Sequence, residues 1–282
     1  MSSTQVTPQP FILKSTEESE WVACVLCGST VNETVMVAPN RDASGAVGVP
    51  YTVVRCRQCG LCFQNPRPSP ERLRACYPQD YYTYQVMNTP PKPRKGFKAV
   101  GARLKRWTNM GLRRAFWGYP CPGGGIQRWT LRLLLWPLWL RMRWIRTWLR
   151  GKDEHVIPYQ GRGRLLDVGC GKGQELVYQR QYGLTVTGVE WSPSTARSAR
   201  EQFGLDVRTG TLEEARFSDR SFDIVYMSHV FEHLPHPANT LKEIHRILDV
   251  GGLVILKVPN FASQSAGRFG PYWLGLELPR HL

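Results

Sequence analysis

From residue 163 onward, short apolar runs alternate with amphipathic stretches. Arg164–Val168 reads as a strand, 173–182 as a helix and 184–190 as a second strand. Pro193–Phe203 follows as a helix, with Ser192 in position to cap it and Gly204 to end it. A strand over 222–226, a helix over 237–248 opened by Pro237, and the continuous apolar run LVILKVPN from Leu253 extend the alternation. Strands separated by helices predict an α/β domain, 156–282, built on a parallel sheet. LVILKVPN reads as a buried fifth strand that needs cover from the tail, because a bare edge of this apolarity invites aggregation. Only 23 residues follow Pro259, and the ending FGPYWLGLELPRHL reads as the middle of a longer chain, so truncation after the fifth strand is expected.

The first half follows other patterns. Residues 1–20 read as a disordered N-terminus, without the basic start and apolar run of a secretory signal, which points to a cytoplasmic protein. Between 21 and 66, Cys24 and Cys27 form one CxxC pair and Cys56 and Cys59 another, each followed by glycine. A hairpin through 31–37 and 51–55 would bring the pairs together, and four thiolates at about 2.3 Å are what a closed Zn²⁺ site needs; the competing reading is four unrelated buried thiols. Cys62, Cys76, Cys121 and Cys170 have no such partners and read as small buried apolar residues. In the connector 67–90 a short helix is predicted to open at Pro70, capped by Ser69. There Tyr77, Tyr81, Tyr82 and Tyr84 crowd together, as an aromatic lid over a pocket or simply as packing between elements.

Charge then changes the picture. Thirty-seven Lys and Arg against 22 Asp and Glu give a net +15, yet sixteen of the basic residues and none of the acidic ones lie within 81–152; the remainder carries −1. The overlapping segment 91–155 holds seven of the ten tryptophans. Its run 133–140 is too short to span a bilayer. Arg132, Arg143, Arg146 and Arg150 share one side of a helical projection and Leu134, Ile145, Trp148 and Leu149 the other, with Pro137 expected to kink the helix. Three readings follow: peripheral contact of 92–152 with an anionic membrane at its inner face, an apolar helix docked on its own domain, and binding of nucleic acid.

The turn after the first α/β strand is Gly169-Cys170-Gly171-Lys172-Gly173. Alternate glycines let backbone amides approach a ligand at the carboxyl end of a strand, where open parallel sheets bind ligands. A dinucleotide fingerprint would place its third glycine at 174, which is Gln. Asp167 lies two residues before the first glycine and favours a ligand carrying positive charge. Glu190 ends the second strand, where a carboxylate can accept two ribose hydroxyls. A cationic amino acid joined to adenosine matches both acids, and S-adenosylmethionine is such a compound.

These residues resemble the class I S-adenosylmethionine-dependent methyltransferases from about Gly163 to the end. The resemblance implies a Rossmann-like α/β domain with sheet order 3-2-1-4-5-7-6 and a loop LLDVGCGKG that holds the methionine part through Asp167, Gly169 and Gly171. It further implies that Trp191 flanks the adenine, that Thr211, Leu212 and Glu213 surround it, and that Ser228 and His229 sit beside the sulfonium. Many relatives have Asp where this chain has Thr211. CxxCGS, CxxCGL, FQNPRPSP and YPQDYY are similar to a bacterial subgroup with a zinc ribbon before this domain, which implies modification of sugars, polysaccharides or other small metabolites; the acceptor expected for this chain is a small molecule, a sugar or a lipid-linked compound.

Methyl transfer needs alignment more than acid–base help, because the sulfonium is already activated. In His229-Val230-Phe231-Glu232-His233, a helix would put His229, Glu232 and His233 on one face. They read as polar braces for the loop, as a base with His233 taking a hydroxyl proton, or as a divalent metal site completed by His281. Ser228-His229-Val230-Phe231 departs from the D/N-P-P-Y motif of amino-base methyltransferases, which disfavours an RNA-modifying enzyme. A noncatalytic scaffold is the rival from another class.

Overall fold

The computed structural model describes residues 12–15, 19–39, 50–77, 97–122, 124–149 and 156–282, with the backbone alone for 12–15, 97–105 and 142–149. Two small antiparallel sheets come first. Strands β1 (Ile12–Ser15), β2 (Ser19–Val22) and β6 (Arg67–Pro68) form one; β3 (Asn32–Ala38), β4 (Tyr51–Cys56) and β5 (Cys62–Gln64) form the other. The hairpin β3–β4 pairs Asn32 with Cys56 and Ala38 with Tyr51, in agreement with the hairpin expected through 31–37 and 51–55. Part of the segment expected to be disordered is ordered: β1 pairs with β2, and Glu20 is buried in an ion pair with Arg67 at 2.6 Å.

Helix α1 (Pro70–Ala75) opens as expected, with the Ser69 side chain accepting from the Arg72 amide. Helices α2 (Phe97–Phe116) and α3 (Gly124–Leu149) then pack on one another, with the Phe116 ring stacked on Trp139 and Gly111 letting Leu135 approach. α2 docks on the α/β domain. Its Arg113 is buried, 3.8 Å above the Tyr182 ring centre, and donates to the Tyr119 hydroxyl at 2.7 Å. α3 runs through Pro137 as one helix.

The α/β domain comprises β7 (Arg164–Val168), α4 (Gln174–Arg180), β8 (Thr185–Glu190), α5 (Pro193–Phe203), β9 (Asp206–Thr209), β10 (Phe222–Ser228), α6 (Pro237–Ile247), β11 (Leu248–Lys257) and α7 (Gln264–Phe269). All five strands are parallel, in the order β11-β10-β7-β8-β9. This is the Rossmann-like methyltransferase order 3-2-1-4-5 read from its other edge. Central β7 and β10 are covered on both faces, which is why they read as unbroken apolar runs: Leu166, Val225 and Met227 pack on Ile244 and Ile247, whereas Leu165, Ile224 and Tyr226 pack on Tyr119 and Tyr182. At the amino ends of the strands Arg164 joins Asp223 at 3.0 Å and Asp249 at 2.8 Å.

β11 is the outer strand of the described sheet, with Val250 exposed. The described tail packs on the ribbon: Leu276 and Leu278 lie against Ala38 and Val53. Cys76 and Cys170 are buried as predicted, but Cys62 and Cys121 are half-exposed, Cys62 beside the tail.

Candidate functional site: a glycine loop flanked by buried acids

The ribbon's four cysteines meet. One sulfur from each lies within 4.8 Å of the others, with Cys24 Sγ 3.5 Å from Cys59 Sγ and Cys27 Sγ 3.5 Å from Cys56 Sγ. Tetrahedral Zn²⁺ with sulfurs at about 2.3 Å puts them roughly 3.8 Å apart, so this set fits a thiophilic dication. The two knuckles repeat one geometry: Gly28 and Gly60, both in the left-handed region, donate to the Cys24 and Cys56 carbonyls. The backbone amides of Cys59 and Gln58 draw the Cys56 thiol down to about 6 against its burial, while burial pushes Cys24 up to about 12.

The carboxyl ends of β7 and β8 carry the acids. Asp167 is buried, and its carboxyl is raised well above the usual range, first by burial and then by the charges of Glu175 and Glu190; Lys257 works the other way. Glu190 is also raised by burial, although the amides of Ser192 at 2.9 Å and Gly171 at 2.8 Å donate to its two oxygens. Each oxygen keeps a second lone pair.

The loop between them is shaped by what its glycines lack. A Cβ on Gly169, at φ +74°, would lie 2.3 Å from Val230 Cγ2, and one on Gly173 would lie 2.3 Å from Leu205 Cδ1. One on Gly171 would meet nothing within 4 Å, so the loop is open there. The Cys170 side chain turns away into the core against Leu176 and Leu205, and only its backbone belongs to the loop face.

The remaining predicted residues divide. Trp191 is half-exposed and meets Tyr77 edge-on, ring centres 6.0 Å apart. Thr211 and Glu214 cap one another, Thr211 N donating to Glu214 and Glu214 N to Thr211 Oγ1. The Leu212 side chain lies in the core, and Glu213 accepts from the Thr240 hydroxyl. Ser228 ends β10, paired in register with Lys257.

His229, Glu232 and His233 do not share an α-helical face. His229 takes φ +56°, a left-handed conformation costly for a residue with a side chain, and precedes a 3₁₀ turn, Phe231–His233. It remains exposed, with Nδ1 3.4 Å from Glu232 Oε1. His233 is held between the Tyr77 hydroxyl at 2.9 Å and the Arg280 carbonyl at 3.0 Å, and burial lowers its pKa to about 4. It braces the turn against the connector and the tail, and at neutral pH it is a poor proton acceptor.

Sequence reasoning missed Lys257, whose Nζ lies 5.0 Å from the centre of the Tyr226 ring, and the placement of Tyr77. A lone charge near the end of LVILKVPN was the available sign of the first. Tyr81, Tyr82 and Tyr84 lie outside the described residues, as do the side chains of Arg143, Arg146, Arg150 and Trp148. Arg132 is not free for a phosphate, because its Nε donates to the Ala115 carbonyl of α2 at 2.7 Å.

A family model described as a methyltransferase domain matches residues 166–256. A ubiquinone biosynthesis O-methyltransferase of Cereibacter sphaeroides is 33% identical over 131 residues, covering 44% of this chain and 53% of its own. A Mycolicibacterium smegmatis protein named as an S-adenosylmethionine-dependent methyltransferase is 31% identical over 132 residues, 44% of this chain and 50% of its own. Among solved structures, an S-adenosylmethionine-dependent methyltransferase from Thermotoga maritima is 31% identical over 39% of this chain and 50% of its own, with a TM-score of 0.34. The chain thus spans about half the length of the curated relatives it matches. Strand order and glycine loop give this part of the chain the Rossmann-like α/β fold of class I methyltransferases, and the methyltransferase-domain family model matches within it, over residues 166–256.

Proposed function

We propose that this chain transfers a methyl group from S-adenosylmethionine to a small-molecule, sugar or lipid-linked acceptor. One observation carries the reading: two buried carboxylates, Asp167 and Glu190, flank a loop that is open at Gly171. Acids raised by their burial, and Asp167 also by the charges of Glu175 and Glu190, are relieved by a cationic ligand, and a phosphate there would be repelled. The cofactor supplies a methyl carbon already activated by a sulfonium. This chain's task is to hold and align it, with Glu190 taking the ribose hydroxyls and Trp191 and Tyr77 walling the open side. His229, at the end of β10, faces the acceptor in this reading. Relatives named as O-methyltransferases support an oxygen acceptor. Calorimetry should show saturable one-to-one binding of S-adenosylmethionine and of its demethylated product; no heat with either compound overturns the reading.

The outer face of α3 supports placing this enzyme at a membrane surface. Among the described residues no helix is long and apolar enough to cross a membrane. Ile126, Trp129, Leu133, Trp136 and Leu140 nevertheless fall within about 80° of one another on the helical projection, and all five are exposed, Ile126 at 84% and Leu133 at 74%. An apolar stripe on a segment with sixteen basic and no acidic residues complements an anionic lipid layer. The chain should float with anionic vesicles and poorly with neutral ones, and Trp129→Glu with Leu133→Glu should abolish flotation. Steeply salt-dependent RNA binding without flotation would assign the segment to nucleic acid instead.

A further inference from the structure

We infer that Glu232, His233 and His281 form a second divalent-metal site, distinct from the four-cysteine cluster. One ligand atom from each lies within 4.8 Å of the others. The two imidazole rings stand edge to face, with centres 4.7 Å apart. The tail is stitched to the turn at three points: Leu282 N donates to the Glu232 carbonyl at 2.9 Å, His233 Nδ1 meets the Arg280 carbonyl at 3.0 Å, and His281 Nδ1 meets the Gly275 carbonyl at 3.0 Å.

The last contact decides the His281 tautomer: a carbonyl can only accept, so its Nδ1 carries the hydrogen and, in a neutral ring, Nε2 presents a lone pair. His233 Nδ1 faces both the Arg280 carbonyl and, at 2.9 Å, the Tyr77 hydroxyl; ligation through Nε2 takes the tautomer in which Nδ1 donates to the carbonyl and the Tyr77 hydroxyl does not donate to Nδ1. A histidine that ligates a metal through one nitrogen typically donates its other N–H to such a carbonyl. Glu232 completes the set: both its carboxylate oxygens are buried and neither makes a hydrogen bond. Its nearest ring nitrogens are His229 Nδ1 at 3.4 Å and His281 Nε2 at 4.0 Å. An ionised carboxylate without donors is costly to bury, and three electron-pair donors facing one another repel. A dication between them removes both penalties.

Two imidazoles and a carboxylate suit Zn²⁺, Mn²⁺, Fe²⁺ or Co²⁺ over Ca²⁺, and three protein ligands leave a position for water or an oxygen of a substrate. Glu277, whose Oε2 is 3.4 Å from His281 Nε2, is the competing partner for that ring. If His281 were a doubly protonated bridge between Glu277 and Glu232, the cluster would bind no ion.

Full-length protein dialysed against Zn²⁺ and then buffer should retain two equivalents by elemental analysis. Glu232→Gln and His281→Ala should each retain one, with an unchanged circular dichroism spectrum. Adding Co²⁺ to protein whose ribbon already holds Zn²⁺ should give weak visible bands without thiolate-to-cobalt charge transfer, and both variants should lack them. One equivalent in the unaltered protein, or two in both variants, overturns the site. Neither measurement depends on methyl transfer, so failure of the proposed activity leaves this result readable.

Discussion

Glu190→Ala should weaken S-adenosylmethionine binding by about a hundredfold or more, read by calorimetry. Each hydrogen bond to a charged group contributes about 1.5–3 kcal/mol, and about 1.4 kcal/mol is tenfold in affinity. In the proposed binding mode the alanine would remove two such acceptors from the ribose. It also frees the Gly171 and Ser192 amides that the carboxylate now holds, so the loop loses its anchor. Glu190→Gln keeps the shape but sets an NH₂ against one of those donors, and its affinity should fall between the two. Full affinity in the alanine variant would remove Glu190 from the ribose.

Cys56→Ser should cost the protein one equivalent of zinc and the integrity of its ribbon. The ribbon's apolar core is small, with Val22, Val54 and Phe63 grouped around Cys24 and Cys56. Such a core cannot hold two short sheets alone, whereas a structural zinc ion supplies on the order of 10 kcal/mol. Elemental analysis should show the lost ion, limited proteolysis should open the segment 19–68, and the melting temperature should fall. The ion at Glu232, His233 and His281 should stay, which separates the two sites. Retention of full metal content and stability would end the four-thiolate reading.

The α/β half was legible because its local signals agree with its fold. Ser192 caps α5 through the Thr195 amide and Gly204 ends it in the left-handed region, as the sequence pattern predicts. β7 and β10 announced themselves because burial on both faces demands continuous apolar residues. The turn after β10 did not: the spacing of His229, Glu232 and His233 suits a helix, but Pro235 and contacts to Tyr77 and Arg280 hold the stretch as a 3₁₀ turn. Periodicity also assigned Arg132 to a phosphate-facing side, since it cannot reveal that a carbonyl of α2 waits there. Side chains such as Leu212 and Cys170 carry motif positions but serve the core, so in the loop motif their backbone is what counts.

Gly169 has no side chain, and Val230 occupies the space one would fill. The corner that would receive the nucleoside and the turn that carries His229 therefore touch directly, with no buffer of mobile side chains between them. Displacing either strains the other, so occupancy on one side presets the shape available on its neighbour. A residue with a side chain at 169 would therefore have to shift the turn as well as the corner.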